Sequence, residues 1–178
     1  LFILDKKLRI LNIGRFCIQK NQSLLLDSIK ILDNISNTSF ICSFCGKKDQ
    51  RIFRELNNYV KENNLKSKVI FLDTKSSTNK LISIYDQNDI FILTSLWEGT
   101  PKVLIEALAR GLLVIVPRLG GIKGIIKNRE NGFYFNSYNP IEISSLILEV
   151  NNLSIEEKNL VSKKAKQTAA FYTYKKQK

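Results

Sequence analysis

The chain has 178 residues, 44% apolar and 10% aromatic, which is enough to bury one ordinary core without disulfides or metals to replace it. Its 28 basic side chains outnumber 16 acidic ones, giving a net charge of +12, and it contains no histidine. The missing imidazole excludes Ser-His-Asp and Cys-His nucleophiles and His-rich zinc sites, while the charge leaves open nucleotides, nucleic acid, an acidic membrane surface, or plain solvation by lysine.

The first short β-branched run, at 9–13, predicts a strand that ends in Asn12-Ile13-Gly14-Arg15, with Lys20-Asn21 close behind. Glycine at a strand end lets the backbone approach a ligand, and Arg15 and Lys20 place two cations in the loop that opens the first helix. Together they read as a diphosphate cradle or as an ordinary solvent-facing turn. Leu25, Ile29 and Leu32 share a helical face. A second strand at 39–43 leads through Cys42-Ser-Phe-Cys45, which is either half of a redox or metal pair or two small core residues of a reducing compartment. Ile52, Leu56, Tyr59 and Val60 mark the next helix, 68–72 a third strand, Leu81, Ile84 and Tyr85 another helix, and 89–93 a fourth strand.

Directly after that strand comes Ser95-Leu96-Trp97-Glu98-Gly99-Thr100-Pro101-Lys102, running on through Glu106 to Gly111. Thr100 suits an N-cap, Pro101 the first helical position and Gly111 a left-handed C-cap, so a helix is expected over 101–110. Its start offers unpaired N–H groups and a positive dipole end to an anion. Glu98 and Glu106, with seven residues between them, can accept hydrogen bonds from hydroxyls at the two ends of a sugar nucleotide. Alternatively, Lys102, Glu106 and Arg110 form an exposed i, i+4 ion-paired stripe. A fifth strand at 112–116 precedes Arg118-Leu119-Gly120-Gly121, which is an anion-binding nest or a tight turn, and a short extended piece follows at Phe133–Phe135. From about Ser154 onward, Lys163, Lys164, Lys166, Lys175, Lys176 and Lys178 crowd around Phe171, Tyr172 and Tyr174. This is a solvated terminal helix or a surface for lipid headgroups or another domain.

Strands alternating with helix-period segments predict an α/β, Rossmann-like, doubly wound parallel sheet. The strands are nearly continuous in apolar residues, as expected when helices cover both faces. Ligands of such sheets bind at the carboxyl ends of the strands, where the three unusual turns lie.

Gly14-Arg15 with Lys20, Glu98-Gly99-Thr100-Pro101 through Glu106-Ala107, Gly111, Gly120-Gly121 and Asn131-Gly132 together resemble the C-terminal, donor-binding domain of family 4 retaining glycosyltransferases, which have the GT-B fold. The likeness runs in order along nearly the whole chain, and the glutamate pair has the spacing of that family's Glu-x7-Glu motif. By this resemblance, residues 1–178 form a nucleotide-sugar domain with a basic C-terminal helix from about 154, and the N-terminal acceptor domain is absent.

The resemblance implies that Arg15 and Lys20 stabilise the leaving diphosphate, Glu98 contacts the transferred sugar and Glu106 holds the ribose. Gly14, Gly99, Thr100, Pro101 and Lys102 would line the donor. The implied activity is metal-independent retaining hexosyl transfer from a nucleotide diphosphate sugar, foremost a UDP-sugar, to a polysaccharide or glycolipid acceptor. No cofactor or metal is expected, and the chain contains no Asp-x-Asp motif. Without the acceptor domain, the isolated chain is expected to bind donor but transfer little or no sugar. Location in the cytoplasm, at the inner face of an anionic membrane, is the accompanying expectation, since the chain has neither a secretory signal nor an apolar run long enough to cross a bilayer. Leu113, Ile122, Gly124 and Asp73 depart from the family pattern. A basic nucleic-acid-binding α/β module and a truncated non-catalytic family member are the alternatives.

Overall fold

The computed structural model describes residues 7–72 and 78–175. Asp73, Lys176 and Lys178, singled out above, lie outside the described residues. In chain order the elements are β1 (Leu8–Ile13), α1 (Gln22–Ile35), β2 (Phe40–Cys45), α2 (Gln50–Glu62), β3 (Val69–Leu72), α3 (Thr78–Asp86), β4 (Ile90–Ile92), α4 (Lys102–Arg110), β5 (Leu113–Pro117), α5 (Gly120–Lys123), β6 (Phe133–Phe135), α6 (Pro140–Asn151) and α7 (Ile155–Lys175).

The six strands form one parallel sheet in the order β3-β2-β1-β4-β5-β6. The alternation read from the sequence thus produces the expected doubly wound α/β sheet. Residue alternation along each strand divides the core between the two faces. Ile10, Phe40, Cys42, Phe44, Ile92 and Ile115 pack with α1, α2 and α6 on one side. Leu11, Cys45, Phe91, Leu93, Val114 and Val116 pack with α4 and α7 on the other. Cys42 and Cys45 therefore face opposite layers, both buried and unbridged, which removes the redox or metal pair and leaves the core reading.

The helices follow their apolar spacing. Leu25, Ile29 and Leu32 of α1 are fully buried. Asp49 caps α2 by accepting from the N–H groups of Arg51 (3.0 Å) and Ile52 (3.2 Å). Asn139, with Pro140 behind it, caps α6. Ser154 and Glu157 exchange hydrogen bonds with each other's backbone N–H at the start of α7, a capping box. No helix among the described residues is long and apolar enough to cross a membrane.

The strand order reverses direction between β1 and β4, and there the pairing is short: Ile10↔Ile90 and Leu11↔Phe91. One residue further, the buried side chain of Asn12 donates to the Ile92 carbonyl at 2.8 Å and bridges the two strands. Beyond this bridge the turns after β1 and β4 flank the crevice in which open α/β sheets bind ligands.

Candidate functional site

Two turns 78 residues apart in sequence meet at this crevice. The chain leaving β1 passes through Gly14 and Arg15 into a short 3-10 turn, Ile18–Lys20, and Asn21 then takes a left-handed conformation (φ 45°) that launches α1. The chain leaving β4 lies alongside. The Leu96 N–H donates to the Gln19 carbonyl (2.8 Å), Gln19 Nε2 to the Trp97 carbonyl (2.8 Å), and Thr94 Oγ1 to the Lys20 carbonyl (3.0 Å). Tyr138, from the stretch before α6, ties the same turn by donating to the Ser95 carbonyl at 2.7 Å.

These contacts bring Lys20 and Glu98 together as an ion pair whose side chains are only 17% and 7% exposed. Ser95 Oγ donates to the same Glu98 oxygen, Oε1, at 2.6 Å. Both partners thus hold one and the same carboxylate oxygen. The Lys20 methylenes lie over Gly14, where a Cβ would come within 3.3 Å of them. Arg15 is exposed and has no ion-pair partner among the described residues, while Gln22 Nε2 fixes its carbonyl at 2.9 Å. The first turn therefore carries one cation tethered to a carboxylate, Lys20, and one unengaged cation, Arg15.

The helix that follows starts one residue later than the sequence suggests. Pro101, extended at φ −72° and ψ 112°, occupies the N-cap position, and α4 begins at Lys102. Thr100 is not the cap. It lies one residue outside the helix because Pro101 itself is extended instead of taking the first helical position. Lys102 is exposed at the first turn of this helix. At the far end Gly111 has φ 76° and forms the left-handed cap expected of it.

Glu106 does not belong to an ion-paired stripe. Arg110 turns away to grip Asp86 of α3 with two 2.6 Å hydrogen bonds, while Glu106 Oε2 accepts the Tyr85 hydroxyl at 2.7 Å. Gly120 and Gly121 begin α5, and neither has the positive φ that an anion nest requires. Gly121 serves close approach instead, because a Cβ there would stand 1.6 Å from the Gly99 carbonyl oxygen. The turn after β5 is thus seated on the Glu98-Gly99 loop.

The family described as Glycosyl transferases group 1 matches residues 1–168. The chain belongs to this family. Among curated relatives, an Escherichia coli UDP-Gal:alpha-D-GlcNAc-diphosphoundecaprenol alpha-1,3-galactosyltransferase is 32% identical over 123 residues, covering 68% of this chain and 30% of that protein. A Saccharomyces cerevisiae phosphatidylinositol N-acetylglucosaminyltransferase GPI3 subunit is 26% identical over 93% of this chain and 34% of its own length. The chain thus spans about a third of the curated relatives it matches. Among solved structures, the C-terminal domain of a group 1 family protein (LpcC) from Francisella tularensis superposes with a TM-score of 0.82 at 20% identity, covering 94% of this chain and 86% of that one. Anabaena HepE in complex with UDP and glucose gives 0.80 at 19% identity, over 92% of this chain and 44% of that one. The fold is therefore that of the C-terminal domain of a GT-B glycosyltransferase.

Sequence reasoning missed Ser95, Tyr85 and Tyr138. Ser95 has a local signal, a hydroxyl at a strand end three residues before a glutamate. Tyr85 reads simply as part of an apolar helix face, and no pattern joins Tyr138 to a turn 43 residues away.

Proposed function

We propose that this domain binds a nucleotide diphosphate sugar, foremost a UDP-sugar, across the crevice between β1 and β4. In the full-length protein it would act as the donor half of a retaining, metal-independent transferase for a polysaccharide or glycolipid acceptor. The observation that supports this reading is the ion pair of Lys20 and Glu98 between two distant turns at the crevice, with Arg15 in the first of those turns and Glu106 about one turn into the helix that follows the second. Anabaena HepE, of like fold, is a UDP and glucose complex, which favours a uridine donor.

In this reading Arg15 and Lys20 receive the diphosphate. Arginine can grip two oxygens at once, whereas lysine acts as a point charge. A diphosphate gives Lys20 a second anion besides Glu98. As the bond to the sugar breaks, negative charge grows on the departing phosphate, and these preplaced cations stabilise it without a divalent ion. A comparable preorganised donor contributes about 3–4 kcal/mol. The free oxygen of Glu98 faces the transferred sugar and that of Glu106 the ribose hydroxyls. The acceptor attacks from the same face that the diphosphate leaves, and the departing phosphate takes its proton. On its own, the donor domain is expected to bind the nucleotide sugar but to transfer little or no sugar.

Titration calorimetry with UDP, GDP and ADP tests the assignment. UDP is expected to bind more tightly than ~1 mM, about 4 kcal/mol of affinity, and Glu106→Ala or Arg15→Ala to weaken it. Failure of all three nucleotides to bind, or an unchanged affinity in Glu106→Ala, refutes the site.

A further inference from the structure

Both glutamates of the site are held at one carboxylate oxygen. Glu98 is gripped at Oε1 by Lys20 and Ser95, and Glu106 is gripped at Oε2 by Tyr85. A carboxylate has about four lone-pair positions, so one donor leaves room for two hydroxyls. The two supports differ in kind. Glu98 sits in a nearly buried pair, whereas Glu106 is exposed on α4 and would otherwise sample several rotamers.

Tyr85 supplies what Glu106 lacks. Its side chain, from α3, is only 2% exposed, and its ring packs against Phe91 of β4 with centroids 6.1 Å apart. The rigid ring delivers its hydroxyl to the Glu106 carboxylate at 2.7 Å, with a weaker 3.4 Å approach to the Val103 carbonyl. Burial and then the bond to Glu106 push the phenol up from its ordinary value, so it remains a donor at neutral pH.

We infer that Tyr85 is a positioning residue for nucleotide recognition, locking the Glu106 carboxylate in the one orientation that receives the two ribose hydroxyls. This rests on the donor-site reading above. Fixing the rotamer before the ligand arrives removes an ordering cost that binding would otherwise bear.

The experiment compares UDP with 2′,3′-dideoxy-UDP, by calorimetry, on the unmodified chain, Tyr85→Phe and Glu106→Ala. The phenylalanine keeps the buried ring and deletes only the hydroxyl. Tyr85→Phe is expected to weaken UDP about two- to tenfold while leaving the dideoxy nucleotide unchanged. Equal weakening of both nucleotides means a merely structural role and overturns the inference. So does an unchanged UDP affinity in Tyr85→Phe when Glu106→Ala still weakens it, and in that case the donor site stands. If Glu106→Ala also leaves UDP untouched, the site assignment and this inference fail together.

Discussion

The contact between Gly121 and Gly99 allows a sharp comparison, because the neighbouring glycine is unconstrained. A Cβ at Gly121 would meet the Gly99 carbonyl oxygen at 1.6 Å and the Glu98 carbonyl oxygen at 2.6 Å, whereas one at Gly120 meets nothing within 4 Å. The obstructing atoms are backbone, so they cannot swing aside as a side-chain tip would. Ordinary contact begins near 3.4 Å, so Gly121→Ala has to part the two loops by nearly 2 Å. Overpacking of this kind costs about 1–3 kcal/mol, and for a domain of this size each kcal/mol moves the melting temperature by about 2–4 °C. Gly121→Ala is therefore expected to melt about 2–12 °C lower and to bind UDP more weakly, since Glu98 rides on the displaced loop. Gly120→Ala is expected to be neutral or to gain up to about 1 kcal/mol through a less flexible unfolded chain. Thermal melts of both variants decide the matter. Equal melting temperatures, or a Gly121→Ala protein within about 0.5 kcal/mol of the parent, refute the claim that the two loops are seated on each other.

Stability is expected to fall at both ends of the pH range. Burial raises the Cys42 and Tyr85 groups above their ordinary 9.0 and 10.0; their contribution is complete below those values and is lost as pH climbs toward the folded ones. Burial would raise Glu142, but hydrogen bonds from Ser137 and Asn136 bring it below 4.5, and the Ser154 backbone lowers Glu157 likewise; their contribution is present above 4.5 and lost as pH falls through the folded values. Urea midpoints from about pH 3 to about pH 11 measure both limbs; a flat profile, or an alkaline limb unchanged by Cys42→Ala, contradicts these assignments. Ser154→Ala removes one half of the α7 capping box and is expected to cost about 1 kcal/mol, read as a lower urea midpoint at unchanged slope. Attraction of the +12 chain to random-sequence DNA is expected to disappear by about 200 mM salt; fluorescence anisotropy showing tight binding above that would favour the nucleic-acid alternative.

The elements were legible because each carries its own period. Leu25, Ile29 and Leu32 can share a face only in a helix, and the unbroken apolar run at 112–116 suits only a strand covered on both sides. The motif residues around Glu98 were legible for a related reason, since turn chemistry at a strand end is local. The helix starts one residue later than its cap signals suggest, because Thr100 and Pro101 have the residue types of an N-cap and a first helical position while Pro101 itself takes extended backbone, ψ 112°. The Lys102-Glu106-Arg110 spacing invited an ion-paired stripe, and partners on another helix, Asp86 and Tyr85, took its members apart. Such partners are invisible to periodicity because they depend on how α3 packs against α4. The same holds for Gly121, whose necessity lies in a loop more than twenty residues earlier.

Asn12 shows how such a crevice can exist in a sheet at all. Between β1 and β4 the backbone pairing stops at Leu11↔Phe91, and the Ile92 carbonyl lies one residue beyond it. The buried amide of Asn12 meets that carbonyl, like the last tooth of a zip made from a different material. The two strands can then part where a ligand needs room while the seam below stays closed. One side chain thus joins the two strands at the point from which the Lys20 and Glu98 turns depart.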